Sequence, residues 1–184
     1  MFQLIVYGDR KDHEITESLL NLLQQYYHIH LFEDHALFSV GKGPPISLFD
    51  ISELQECRVK NGVLIMKKNS RTNHLGDLSG LPQILISSEN TRAIRAFAKR
   101  QIPIYTCGFG TKDDITFSSR STGNTVVSLQ REILLGKKVI EPGEIPCEIH
   151  RPLDDYTILT CSIIWMLLKE TEEEGIFPDK IFFS

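Results

Sequence analysis

The stretch Leu81–Gly110, LPQILISSENTRAIRAFAKRQIPIYTCGFG, decides the fold. Gln83–Ser87 is a short apolar run with strand character. Asn90 or Thr91 can cap a helix of about three turns, on which Ile94, Phe97 and Ala98 form an inward stripe at i, i+3, i+4 spacing. Gln101-Ile102-Pro103 stops that helix, because proline has no N–H to offer and disfavours helical backbone before it. Ile104–Cys107 then resumes extended chain. Two buried strands joined by such a helix make a parallel crossover, so the chain is expected to be α/β, a mostly parallel sheet flanked by helices. Ligands of such sheets sit beyond the C-terminal ends of the strands.

Working outward, Phe2–Tyr7 reads as a buried strand ending at Gly8. A polar loop, Asp9–His13, leads to a helix with the apolar stripe Ile15, Leu19, Leu22, Leu23 and Tyr26. Ile29–Phe32, Ala36–Val40, Ile46–Asp50 and Gly62–Met66 read as strands, with a loop at Gly41–Pro45. Asn69–Gly80 is polar and glycine-containing, and reads as loop. After Gly110 the texture changes to alternation. Asp114–Arg120 and Thr125–Leu129 form a hairpin through Ser121-Thr122-Gly123-Asn124. Lys138–Ile140 and Ile145–Ile149 follow around Pro142-Gly143, so a small antiparallel β annex is expected near residues 111–150. An apolar helix, Asp155–Lys169, is capped by Asp154 or Asp155 and ends at Glu172-Glu173-Glu174-Gly175. The aromatic tail Ile176–Phe183 reads as a last strand or extended arm, which makes residues 1–184 a single domain.

Composition bounds the function. Hydrophobic residues are 41% and charged residues 24%, as in globular proteins. A net charge of -4 with scattered basic residues argues against nucleic acid as a partner. No apolar run reaches the roughly 18 residues of a membrane span, and Tyr156–Leu168 holds Thr157, Thr160 and Ser162. The start, MFQLIVYGD, lacks the basic region of a signal peptide. Cys57, Cys107, Cys147 and Cys161 form no C-x-x-C pair, so neither zinc spacing nor disulfides are expected and a cytoplasmic location follows.

Several polar groups are candidates for chemistry. Gly8, Asp9, Arg10, Lys11 and His13 stand between a strand end and a helix start, where amides and the helix dipole attract an anion. The same acids also suit a plain connection that complements the dipole. Ser87, Ser88 and Asn90 can contact a ligand or simply cap a helix. Gly108 follows Cys107, a thiol with no histidine near it in sequence. His28 and His30 share a strand face and could meet a metal with Asp34 or His35, but Tyr-His-Ile-His-Leu-Phe also alternates as an edge strand does. No metal site and no cofactor is expected. Asp113-Asp114 suits a turn as well as a cation, and Trp165 is a core residue.

This order of parts resembles the central, ATP-binding domain of the Mur ligase family, which joins amino acids to cell-wall precursors. Gly8 to Leu20 (GDRKDHEITESLL) takes the place of the family's phosphate loop and its helix. Val63–Asn69 resembles the strand that ends near a metal- or substrate-binding loop, and Ile84–Asn90 the strand ending in an N-x-D-type turn. Ile104–Gly108 resembles a T-Y-G strand end, and Asp113-Asp114-Ile115 with its hairpin the small annex. A phosphate loop needs close-approaching glycines, a lysine, and a Ser/Thr for magnesium. Here Gly8 is followed by Asp9, Lys11, Asp12 and His13, with no second glycine and no Lys-Ser or Lys-Thr pair. Each added carboxylate would repel a triphosphate by about a few tenths to a few kcal/mol, depending on burial. At 184 residues the family's flanking domains have no room.

The resemblance therefore implies a non-catalytic or degenerate Mur-ligase-like domain that binds a small anionic molecule or a protein partner. One alternative is a small α/β enzyme with its site near Gly8–His13, Ser87–Asn90 and Cys107-Gly108. Another is an assembly protein that forms homo-oligomers through Ile176, Phe177, Ile181, Phe182 and Phe183.

Overall fold

Phe2–Tyr7 (β1) lies inside the sheet, and its last four residues are buried. The computed structural model describes residues 1–184 apart from 60, 81, 82, 136, 137 and 170–176. After β1 come α1 (Glu14–Leu23), β2 (His28–Glu33), β3 (Ala36–Val40) and β4 (Pro45–Ile51). Next are β5 (Leu54–Arg58), β6 (Gly62–Met66), β7 (Leu75–Gly80), β8 (Ile84–Ser87), α2 (Thr91–Lys99) and β9 (Ile104–Cys107). The chain continues through β10 (Ile115–Ser121), β11 (Asn124–Leu129), β12 (Ile133–Leu135), β13 (Lys138–Ile140) and β14 (Gly143–Ile149). It closes with α3 (Asp155–Lys169) and β15 (Ile181–Phe183).

Eleven strands form one sheet in the order β15-β14-β11-β10-β9-β8-β6-β1-β4-β2-β3. Every pairing from β2 through β10 is parallel. The β8–α2–β9 unit is the crossover read from the sequence, with Ile84 beside Ile104. From β1 the chain moves out to β2 and back to β4, then crosses to β6, β8 and β9 on the other side. The connections after β1 and β6 thus diverge, and the crevice between them is the switch point of the sheet.

Alternation along β1 feeds two cores. Leu4 and Val6 pack with Leu48, Val63 and Ile65 under α1 and α3. Ile5 and Tyr7 pack with Leu64 and Met66 under Ala93 and Phe97 of α2 and Leu75 and Leu78 around β7. Residues 156–165 of α3 are buried on every side. That accounts for the apolar run there, and no helix among the described residues is long and apolar enough to cross a membrane.

Four readings change. Residues 69–80 are not all loop, since β7 pairs in parallel with β5 although LGDLSG has little strand propensity; the partner strand makes it one. The annex is not set apart: β10, β11 and β14 extend the main sheet, and of its described strands only β12 and β13 form a separate antiparallel pair. On α2 the inward residues are Ala93 and Phe97, while Ala98 faces solvent. Helix α1 ends at Leu23, and the Tyr26 ring instead stacks on Phe177 and meets Trp165 edge-on. The helix end read at Glu172–Gly175, and Ile176, lie outside the described residues. Of the aromatic tail, Phe177, Ile181 and Phe183 are buried in this chain's own core, and Phe182 is 49% exposed.

Candidate functional site

Parallel strands place their C-terminal ends along one rim, and polar residues collect there. Asp50 near the end of β4 and Lys67 just after β6 flank the end of β1, because both strands pair with it. Lys67 is 1% exposed, and its Nζ donates to Asp50 Oδ1 at 2.6 Å and to the Asp9 carbonyl at 2.9 Å. Asp50 Oδ2 accepts from Thr16 Oγ1 at 2.7 Å and lies 3.1 Å from His13 Nδ1. Glu33 at the end of β2 approaches the same His13 nitrogen at 3.9 Å.

Gly8 makes this centre possible. A Cβ there would lie 2.2 Å from Ser70 Oγ and 2.7 Å from Lys67 Cβ. The bare backbone leaves a channel through which the Lys67 stem reaches Asp50. The adjoining loop satisfies its own amides. Asp9 Oδ1 accepts from Lys11 N at 2.9 Å, and Asp12 Oδ1 accepts from Glu14 N at 3.3 Å.

Three recesses open on this rim. A cleft of about 470 Å³ beside Gly8 is lined by Asp9, Arg10, Glu53, Asn69, Arg71 and His74, among others. A pocket of about 180 Å³ holds Arg10, His13, Glu33, Asp34, His35 and Asp50. The third, about 170 Å³, is lined by Ser87, Ser88 and Gly108 together with Lys68 and Tyr156. Asp34 feels burial, which raises its carboxyl, but hydrogen bonds from Ser52 and the nearby Arg10 outweigh that and hold it below its ordinary value. A hydrogen bond to Asp154, with Glu89 close by, holds the Lys68 ammonium above its usual range.

The sequence candidates therefore divide. Gly8, Asp9 and Arg10 share the large cleft, and His13 faces the neighbouring pocket. The Lys11 amide is bound to Asp9, and its side chain is exposed. Ser87, Ser88 and Gly108 belong to the third recess, where Ser88 Oγ donates to Asp113 Oδ2 at 3.2 Å. Asn90 caps α2 through Ala93 N, and its Nδ2 donates to the Ser70 carbonyl at 2.9 Å. Ser70 in turn donates to the Tyr7 carbonyl, so the two polar turns are tied together through the 67–70 turn.

Lys67, Asp50, Thr16 and Glu33 escaped the sequence reading. The available signal was a lysine directly continuing the buried run GVLIM, a placement that demands a partner. Histidines also group differently from the reading. The His28 and His30 rings meet edge-on with centroids 4.8 Å apart and Ser39 Oγ on His28 Nε2, while Asp34 and His35 sit past the far end of β2. Among the described residues the set that brings donors together is His13, Glu33 and Asp50, within 4.8 Å of one another, a nitrogen–oxygen donor set of the kind that suits a divalent transition metal. Asp50 in that set is already committed to Lys67 and Thr16.

The cysteines lie outside this chemistry. Burial raises the pKa of the Cys57, Cys107 and Cys161 thiols, and pushes Cys147 up to about 11. Burial likewise raises the Tyr156 phenol well above its ordinary value, and its hydroxyl donates to the Met66 carbonyl at 2.6 Å.

A MurF ligase from Thermotoga maritima in complex with ADP superposes with a TM-score of 0.51 over 96% of this chain and 47% of its own, at 11% identity. The fold is Mur-ligase-like. A UDP-N-acetylmuramoyl-L-alanyl-D-glutamate–2,6-diaminopimelate ligase gives 0.52 over 92% of this chain and 43% of its own, at 10% identity. The chain thus spans less than half the length of either ligase. No family model matches it, and no curated protein matches it in sequence.

Proposed function

We propose that this is a Mur-ligase-like domain whose phosphate loop is degenerate, and which binds a small anionic ligand in the cleft beside Gly8 without driving ligation by nucleotide hydrolysis. One observation carries the reading. The Lys67 ammonium beside the Gly8 turn is buried and already neutralised by Asp50. Two amides that would cradle a phosphate, those of Lys11 and Glu14, donate instead to the carboxylates of Asp9 and Asp12. A triphosphate arriving there meets fixed negative charge and finds the local cation engaged.

The cations left for a smaller anion are Arg10 and Arg71, which line the cleft with His74. Arg10 is 61% exposed along its side chain and can swing between Asp34 and the cleft. A compact mono- or dianion fits about 470 Å³, and Asp9 and Glu53 in the same lining select against a larger charge. The buried cysteines suit a reducing compartment, the cytoplasm.

Thermal-shift measurements test this. Inorganic phosphate and small carboxylates are expected to raise the melting temperature, with the rise lost in Arg10→Ala/Arg71→Ala. Mg-ATP is expected to add nothing, and no phosphate should be released. A rise of several degrees with Mg-ATP, or any turnover, overturns the reading.

A further inference from the structure

Glu33 at the end of β2 is paired in register with Asp50 of β4, so two carboxylates stand on one face of neighbouring parallel strands. Acids so placed repel unless a cation lies between them. Lys67 answers only one of them. Its Nζ reaches Asp50, and among the described residues no lysine or arginine pairs with Glu33. The one group within reach of the Glu33 carboxylate there is the His13 imidazole, at 3.9 Å. The same imidazole nitrogen lies 3.1 Å from Asp50 Oδ2.

We propose that His13, Glu33 and Asp50 hold a divalent transition-metal ion, at a site separate from the cleft beside Gly8. Donors bound to one ion at about 2.0–2.2 Å lie about 3.0–3.5 Å apart. The His13–Asp50 separation already fits. Glu33 needs a shift of about 1 Å to join them at such distances, and its side chain, 31% exposed, has no other partner among the described residues to hold it back. The bonds that Asp50 already makes orient it without filling it. A carboxylate has about four lone-pair sites, and Lys67 on Oδ1 and Thr16 on Oδ2 leave lone pairs free on both oxygens. Hydrogen bonds of this kind fix the carboxylates that ligate metals. An imidazole among the donors favours zinc-like ions over magnesium or calcium. All three residues line the recess of about 180 Å³, which has room for the water that completes a three-ligand site.

Calorimetric titration of the full, untagged chain with Zn²⁺ tests the site. Wild type is expected to bind zinc in a stoichiometric, saturable step that Mg²⁺ at equal concentration does not compete away. His13→Gln and Glu33→Gln are each expected to weaken that step at least ~10-fold. Glu33→Gln also removes the repulsion between the two acids. Without metal it should therefore melt no lower than wild type, yet lose the rise in melting temperature that zinc gives the wild-type chain. That behaviour separates a lost ligand from a lost fold. His28→Gln/His30→Gln, which removes the other histidine pair, is expected to bind zinc as wild type does. So is Arg10→Ala/Arg71→Ala, the variant that disables the cleft beside Gly8. No stoichiometric zinc in wild type, binding unchanged in either His13→Gln or Glu33→Gln, binding lost in either double variant, or a metal-free Glu33→Gln chain that melts below wild type overturns the proposal.

Discussion

Replacing Lys67 by methionine asks how much the buried ion centre contributes. The change keeps an unbranched apolar stem and removes only the ammonium, so packing beneath Gly8 is largely retained. Asp50, 4% exposed, is then left with Thr16 and His13 as partners. Opposite charges 2.6 Å apart attract by about 6 kcal/mol at an effective dielectric of about 20. Desolvation of both groups offsets part of this, and stranding one member of such a pair costs about 3–5 kcal/mol. For a domain of this size that lowers the melting temperature by about 6–20 °C. Trp165, the single tryptophan and 3% exposed, reports unfolding in urea by its fluorescence. The double variant Lys67→Met/Asp50→Asn removes both charges and is expected to recover to within about 1–2 kcal/mol of wild type. A loss below about 1 kcal/mol in Lys67→Met, or a double variant as unstable as the two singles summed, refutes the reasoning.

Two further outcomes follow from the same geometry. Gly8→Ala forces its methyl against Ser70 Oγ and Lys67 Cβ and is expected to destabilise by about 2–3 kcal/mol. Adding Ser70→Ala should restore only part of that, since the Lys67 contact at 2.7 Å persists; full recovery in urea titrations would contradict the steric account. The second concerns the thiols, whose raised pKa values mean that the folded chain keeps protons the unfolded chain releases near pH 9. Stability should therefore fall as pH rises past 9. With Cys147 near 11, about a thousandth of it is thiolate at pH 8. A thiol reagent is thus expected to label no cysteine in the native protein and all four in denaturant; rapid native labelling would count against burial as the cause.

Much of the fold was legible because strands and helices announce themselves locally. The apolar runs at β1, β6 and β8 have no polar face, as strands covered on both sides require. Asn90 marked the start of α2 by a side-chain bond that closes within four residues. Ribbon β5–β7 was not legible, because its residues gain strand conformation only from each other. Nor was the continuity of the annex with the main sheet, which rests on a single parallel register, Ile115 beside Cys107.

The site shows the same division. Sequence by itself determined that polar turns follow the strands at Gly8, Ser87 and Cys107, since each apolar run must end where its residues leave the sheet. Only the tertiary structure decided which of those turns meet. Asp50 and Lys67 are 17 residues apart with no local signal linking them, and they pair because their strands flank β1 from opposite sides. Strand order is set by crossovers and by the burial of both faces at once, quantities that belong to the whole chain. For that reason the turn read as an anion site proved to have a buried cation already paired beneath it.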